Sequence, residues 1–302
     1  MFIIKYRKIF LAISGILMVA SLGAVMYFGL NLGIEFTGGS FSQVSYEEGN
    51  IPTFSQIEES LNNFDTERGF VIQEVGEGGY IIRTTHLNEE EREGMIGALS
   101  FGDFEVTEER FSSIGPSIGN ELRDKSLIAL ILSSIVIVLF ITYVFRRVSK
   151  PVSSWKYGAT AVLALIHDIL IPVGVFAVLG YFLGAEIDVL FVTALLAVIG
   201  FSVNDTIVIF DRIRENLSLN EEYNIKKSFA DTVGESLRQS YARSINTSLT
   251  TLLVLGALYF LGGAVTQFFA LVLMIGVVAG TYSSLFMASP ILVFLAGKKG
   301  EK

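Results

Sequence analysis

Six stretches of the chain, roughly residues 9–30, 126–145, 157–182, 187–213, 245–261 and 268–295, are mostly apolar. Each is about as long as a helix needs to be to cross a bilayer, about 20 residues. Composition agrees: 51% of the 302 residues are hydrophobic and only 17% are charged, against about 25% charged in typical soluble domains. The chain reads as an integral membrane protein. Its first apolar run follows Lys5, Arg7 and Lys8 as a signal peptide would. That run is too long for a signal-peptide core and has no small-residue cleavage pattern, so it is read as a retained anchor. There is no cysteine, which removes disulfide and thiolate chemistry.

Orientation follows from lysine and arginine in the short connections. Basic residues precede the first run, join the second to the third (Arg146, Arg147, Lys150, Lys156), join the fourth to the fifth (Arg212, Arg214, Lys226, Lys227, Arg238) and close the chain (Lys298, Lys299, Lys302). The alternate connections, 184–188 and 262–267, contain none. Both termini are therefore expected in the cytoplasm, and residues 31–120 outside. The exported segment holds seventeen acids, four arginines and no lysine. The net charge of -8 argues against a nucleic-acid partner, and much of it is concentrated here.

This segment has the pattern of a small folded domain. Phe41 to Tyr46 alternates as a strand. Thr53 with Gln56 forms a capping box ahead of Phe54, Ile57 and Leu61 at helical spacing. Strands are expected over 69–75 and 80–84, joined through Gly76, Gly78 and Gly79. A second helix starts at Asn88, with Glu91 in the reciprocal capping position, and ends near Leu99; a last strand is expected over 103–111. The order βαββαβ is the ferredoxin-like pattern. The expected organisation is thus 1–30, cytoplasmic terminus and first span; 31–120, extracytoplasmic ferredoxin-like α+β domain; 121–302, a five-span bundle.

Polar residues inside the apolar runs carry the chemistry. Ser202, Asn204, Asp205, Thr206 and Asp211 interrupt the fourth run. A carboxylate such as Asp205 costs about 2.5–3.5 kcal/mol at the centre of a span on insertion scales. An ion or proton path is the usual reason to keep one, and interhelical hydrogen bonding that locks packing is the rival reading. His167 and Asp168 lie near the middle of the third run. Arg243 stands at the cytoplasmic entrance of the fifth, followed by Asn246, Thr247, Thr250 and Thr251. His167 can also be read as a structural histidine, and Arg243 as an ordinary positive-inside anchor.

Convergence of these groups at one depth would permit proton relay, because moving an arginine toward or away from a buried carboxylate changes whether it holds a proton. Sodium is the alternative ion, with Ser202, Asn204 and Thr206 as neutral oxygen ligands. No zinc spacing, phosphate loop or nucleophile triad is present, and Gly38-Gly39 lacks the strand and helix context of a nucleotide site. The reading is therefore of a protein that is not an enzyme. Gly276, Gly280 and Ser284 repeat at four-residue intervals, a spacing for close helix contact either within the subunit or with a partner.

Five motifs resemble the SecD/SecF family of protein translocase subunits, on its SecF side. They are Gly33-Ile-Glu-Phe-Thr-Gly-Gly39, Ile114-Gly-Pro-Ser-Ile-Gly119, Ala164-Leu-Ile-His-Asp168, Gly200-Phe-Ser-Val-Asn-Asp-Thr-Ile-Val-Ile-Phe-Asp-Arg-Ile-Arg-Glu-Asn216 and Arg243-Ser-Ile-Asn-Thr-Ser-Leu-Thr-Thr251. Glu35 departs from the aspartate more usual there and keeps the charge; the 217–238 loop is divergent. The resemblance implies a polytopic helical bundle of the resistance-nodulation-division type, pairing with SecD in the inner or plasma membrane. It implies a role beside the Sec channel (SecYEG, with YajC), where the proton motive force promotes translocation of unfolded preproteins, with no cofactor. By motif position it makes Asp205 and Arg243 the relay pair, with Asp168 and His167 as polar neighbours; Asn204, Ser202, Thr206 and Thr247 are candidate relay or polar neighbours by their places in the spans, and membrane lipid is an expected partner of the bundle. The alternatives are a proton-coupled exporter of small molecules or lipids with the same superfamily fold, which usually duplicates the six-span unit, and a passive assembly scaffold, which needs no intramembrane acid.

Overall fold

The computed structural model describes residues 2–47, 49–76, 78–146 and 152–297. Arg147, Lys150, Lys298, Lys299 and Lys302, used above for orientation, lie outside them. Helix α1 (Arg7–Phe28) is followed by β1 (Gly39–Tyr46), α2 (Phe54–Phe64), β2 (Val71–Val75), β3 (Gly79–Thr84), α3 (Glu89–Leu99) and β4 (Val106–Ile114). Long helices then run from Pro116 to Val144 (α4), Ser154 to Leu183 (α5), Val189 to Glu222 (α6) and Phe229 to Leu261 (α7). The last span is built from α8 (Ala264–Tyr282), a π-helical segment (Ser283–Ala288) and α9 (Ser289–Ala296). Six helical stretches among the described residues are long and apolar enough to cross a membrane.

The chain divides into two compact units, Leu32–Leu127 and the remainder on either side of it. In the smaller unit the strands lie in the order β2-β3-β1-β4 with every neighbour antiparallel. Read from the other edge this is 4-1-3-2, the ferredoxin-like arrangement. One sheet face carries Val44, Tyr46, Tyr80 and Ile82, which pack on Ile57 and Leu61 of α2 and Met95 and Leu99 of α3. The period-2 alternation of strands and the 3–4 spacing of helices place these residues together. Both capping boxes form. Asn88 accepts from the Glu91 N–H at 2.9 Å, and Glu91 accepts from the Asn88 N–H at 2.8 Å. The last strand begins at Val106, three residues later than expected, because a Phe104 N–H to Phe101 carbonyl turn occupies its start.

Gly38 and Gly39 have a steric role. Their φ angles are +73° and +128°, and a Cβ on Gly38 would lie 2.8 Å from the Pro116 Cα. A Cβ on Gly119 would in turn meet the Gly38 nitrogen at 2.8 Å. Only glycine tolerates both the left-handed backbone and this approach.

The connection expected as a loop over 217–238 is largely helical: α6 continues to Glu222 and α7 resumes at Phe229. Leu217, Phe229, Val233 and Leu237 pack into the core of the larger unit. Asn216 donates to Ser236 at 2.8 Å, and Asn220 to Thr232 at 3.0 Å. The polar composition that suggests a loop is the outer face of a helical hairpin. Near its tip Lys227 pairs with Glu235 of α7 at 2.7 Å.

In the membrane unit the small-residue stripe of the last span meets α6. A Cβ on Gly276 would fall 2.1 Å from Val198 Cγ2, and one on Gly280 would fall 2.9 Å from Ser202 Cβ. The stripe is therefore an internal contact.

Candidate functional site

The polar residues of the spans form two groups. The first is fully buried: His167 and Asp168 have no exposed surface, and Ser283 none. Asp168 Oδ2 accepts from the hydroxyls of Ser202 and Ser283, the latter at 2.8 Å. Asp168 Oδ1 lies 2.8 Å from His167 Nδ1. The carboxylate thus ties α5 to α6 and to the π segment. Pro172 lies four residues beyond Asp168 in α5 and supplies no N–H to its carbonyl. A second hydroxyl set continues the seam: Thr206 and Ser284 are 2.8 Å apart, and Ser284 donates to the Ser202 carbonyl at 3.4 Å.

The second group is Asp205 with Arg243. Asp205 is 4% exposed, and its Oδ2 is buried with no hydrogen-bond partner. Arg243, on α7, lies within Coulombic range of that carboxylate, and among the described ion pairs none joins the two. A buried carboxylate oxygen without a partner is costly and needs an explanation in function or in a missing neighbour. Helix α7 is two-sided here. Ser236, Ser240, Ser244 and Ser248 are buried at four-residue spacing, and Ser248 meets Thr281 at 2.6 Å. Arg243, Asn246, Thr247 and Thr250 are exposed, as is Asn204 on α6. A polar, exposed stripe along a membrane helix is a surface that calls for a protein neighbour or water rather than lipid.

The expected single constellation is therefore divided. Ser202 and Thr206 do not gather around Asp205: a helix places them on the side that faces α5 and the last span, where Asp168 and Ser284 engage their hydroxyls. Asn204 faces outward. The sodium ligand set read from the sequence is not assembled at Asp205. Among the described residues no group of three or more His, Cys, Asp or Glu side chains could hold a metal ion. Ser283 and Ser284 are the members that sequence reasoning missed as hydrogen-bonding groups. Their signal was two adjacent hydroxyls in an apolar span, ahead of Pro290. The π segment, a geometry frequent at functional sites, is what turns both inward.

The matching sequences fit this arrangement. The family described as "Protein export membrane protein SecD/SecF, C-terminal" matches residues 98–298, and the "SecD/SecF GG Motif" matches residues 28–48, which include Gly38 and Gly39. The chain belongs to the SecD/SecF family. It is 41% identical over 305 residues to the protein translocase subunit SecF of Thermobaculum terrenum, covering 96% of this chain and 92% of that one. With the SecF of Sebaldella termitidis it shares 36% identity, covering 97% and 91%. The crystal structure of SecDF, a translocon-associated membrane protein from Thermus thermophilus, superposes with a TM-score of 0.79 at 32% identity over 96% of this chain. The chain spans 38% of the length of that SecDF chain. The bundle is accordingly of the resistance-nodulation-division type, with a small α+β domain after the first span, and the protein is a multi-pass protein of the inner membrane.

Proposed function

We propose that this subunit works with SecD as a proton-driven accessory of the Sec translocon, and that Asp205 is the group that takes up and releases the proton. The observation that carries this reading is the Asp205 carboxylate: buried in a membrane span, with one oxygen unpartnered, and opposite an arginine that it does not bind. A packing carboxylate would be saturated, as Asp168 is. Arg243 at Coulombic range biases whether Asp205 holds its proton, so a movement of α7 relative to α6 couples shape to protonation. The exposed stripe of Arg243, Thr247 and Asn204 is then the side from which SecD completes the path. Asp168, His167, Ser202 and Thr206 act in this reading as the polar seam that keeps α5, α6 and the last span in register. On the exported side the ferredoxin-like domain stands where unfolded preprotein would emerge from SecYEG; YajC belongs to the same assembly by family analogy alone. No chemical step at a substrate is required of the chain.

Asp205→Asn tests this, because asparagine keeps size and hydrogen bonding but cannot exchange a proton. In sealed vesicles carrying the complex at matched levels, preprotein translocation should lose its response to an imposed proton gradient. A response equal to wild type would make the carboxylate structural. A wild-type response to a sodium gradient but not a proton gradient would keep the site and change the ion.

A further inference from the structure

We propose that the pocket at the start of α1 holds the headgroup of one anionic phospholipid, with Lys5 and Lys8 as its cations and an acyl chain along the face of Ile9, Ile13 and Ile16. A pocket of about 410 Å³ lies there, lined among others by Lys5, Tyr6, Arg7, Lys8 and Ile9, with Asp231 from α7. That is within the usual size range of small-molecule sites, roughly 300–1,000 Å³. It sits at the foot of the first apolar run, where lipid headgroups meet hydrocarbon, and basic pockets at that level select anionic lipids.

The cations are held in place rather than carried on a loose terminus. Ahead of α1, Phe2–Lys5 forms a helical turn. Its Ile3 and Ile4 are 2% and 7% exposed and belong to the same core as Phe229 and Val233 of α7. The Phe2 ring meets those of Tyr6 and Phe10, with centroids 4.7 and 6.0 Å apart. Lys5 and Lys8 are exposed. Among the described ion pairs the lysines engaged are Lys125 and Lys227, and neither Lys5 nor Lys8 takes part. The Lys5 ammonium lies only over the Tyr6 ring, 5.4 Å from its centroid. The one carboxylate of the lining, Asp231, takes the Ser228 hydroxyl at 2.7 Å and belongs to the cap of α7. Three cations against one acid leave the pocket positive.

An anion from solution would meet the same charge, but the apolar row commits the pocket to a lipid. Ile9 lines the pocket and begins a row with Ile13 and Ile16 at i, i+4 and i+7, on one side of α1. These three are 55%, 40% and 67% exposed. A phosphodiester in the pocket lays its acyl chain along this row. A free phosphate makes no use of it.

The test uses the full chain with SecD in phosphatidylcholine nanodiscs. Two probes carry a diazirine midway along one acyl chain: a phosphatidylglycerol, and the phosphatidylcholine with the same chains. Both contain the phosphate, and only the first is anionic overall. Peptide mass spectrometry should find residues 9–16 labelled saturably by the phosphatidylglycerol probe and not by its zwitterionic relative. Lys5→Gln with Lys8→Gln should raise the half-saturating fraction about thirtyfold, the loss that two lysines near a membrane surface imply. Lys226→Gln with Lys227→Gln removes the same charge at the hairpin tip and should leave labelling unchanged. Equal labelling of wild type by the two probes would overturn the proposal, as would saturation unaltered by Lys5→Gln with Lys8→Gln, or equal losses in both double variants. Displacement of the probe by soluble glycerol 3-phosphate would also overturn it, since the pocket would then serve a free phosphate. If Lys5→Gln with Lys8→Gln gave no folded complex, the wild-type comparison of the two probes would decide alone.

Discussion

Two aspartates thirty-seven positions apart show how environment sets what a carboxylate does. Asp168 has both oxygens engaged, by His167, Ser202 and Ser283. Asp168→Ala would leave those groups unpaired in the core, a loss of about 1–3 kcal/mol for each one left unsatisfied. It is expected to lower the thermal unfolding midpoint of the detergent-solubilised complex sharply. Asp205→Asn removes a charge whose Oδ2 has no partner, and should leave that midpoint unchanged or raise it. An equal fall in both variants would mean that Asp205 is a packing residue. At Arg243 the geometry shows charge at a distance and no fork-to-carboxylate contact. Arg243→Lys should therefore keep more of the gradient response than Arg243→Leu in the same vesicle assay, since lysine retains the point charge and loses only the planar fork.

Among the elements, the last span carries two constraints, its glycine stripe against α6 and its π segment against Asp168. Gly276 faces the branched end of Val198, so Gly276→Ala overpacks the contact, at about 1–3 kcal/mol. Val198→Ala makes room for the added methyl and should recover part of the loss. Additive effects in thermal unfolding, with no coupling between the two changes, would place the stripe elsewhere. In the exported domain, helix α3 depends on its first turn. The Asn88 N–H, followed by the Arg68 guanidinium, holds the Glu91 carboxyl below its ordinary 4.5. A lowered folded value means that this contribution is complete above pH 4.5 and is lost as pH falls through the lowered value. Hydrogen exchange of residues 89–99 in the full chain, corrected for the intrinsic rate at each pH, should lose protection on acidification over that window. Asn88→Ala, at about 1 kcal/mol, should quicken it already at neutral pH. Unchanged exchange at acid pH would mean that the cap contributes little.

For the whole molecule, the alternation of basic and base-free connections predicts that the small domain is outside and the α6–α7 hairpin inside. The absence of cysteine makes this directly testable. Ser55 and Ser218 are exposed. On intact cells an impermeant thiol reagent should modify Ser55→Cys and spare Ser218→Cys until the membrane is opened; the reverse pattern would invert the topology. The six spans also differ in how far they are enclosed, from 6% of the most apolar window buried in α4 to 56% in α6. The helices that carry the aspartates are, with the last span, the more enclosed ones, and Asp168 and Asp205 are buried in them.

The spans were legible from sequence because a bilayer imposes a length and an apolarity that no other environment demands together. The small domain was legible because strand and helix periods, and two capping boxes, each place their residues without help from distant chain. Asp205 stood out because an ionisable group inside an apolar span is costly, whereas Arg243, at the entrance of its span, was marked only by its motif position. What the sequence could not decide was direction around a helix axis and pairing across the bundle. Ser202, Thr206 and Asp205 occupy neighbouring positions, yet packing against α5 and the π segment turns the two hydroxyls to Asp168 and Ser284 and leaves Asp205 facing Arg243. Residues 217–238 have a loop's composition and become helix because Leu217, Phe229, Val233 and Leu237 find one core. Linear order specifies which groups are available; only the close fit of small residues between helices, glycine against Val198 and Ser202, determines which of them meet.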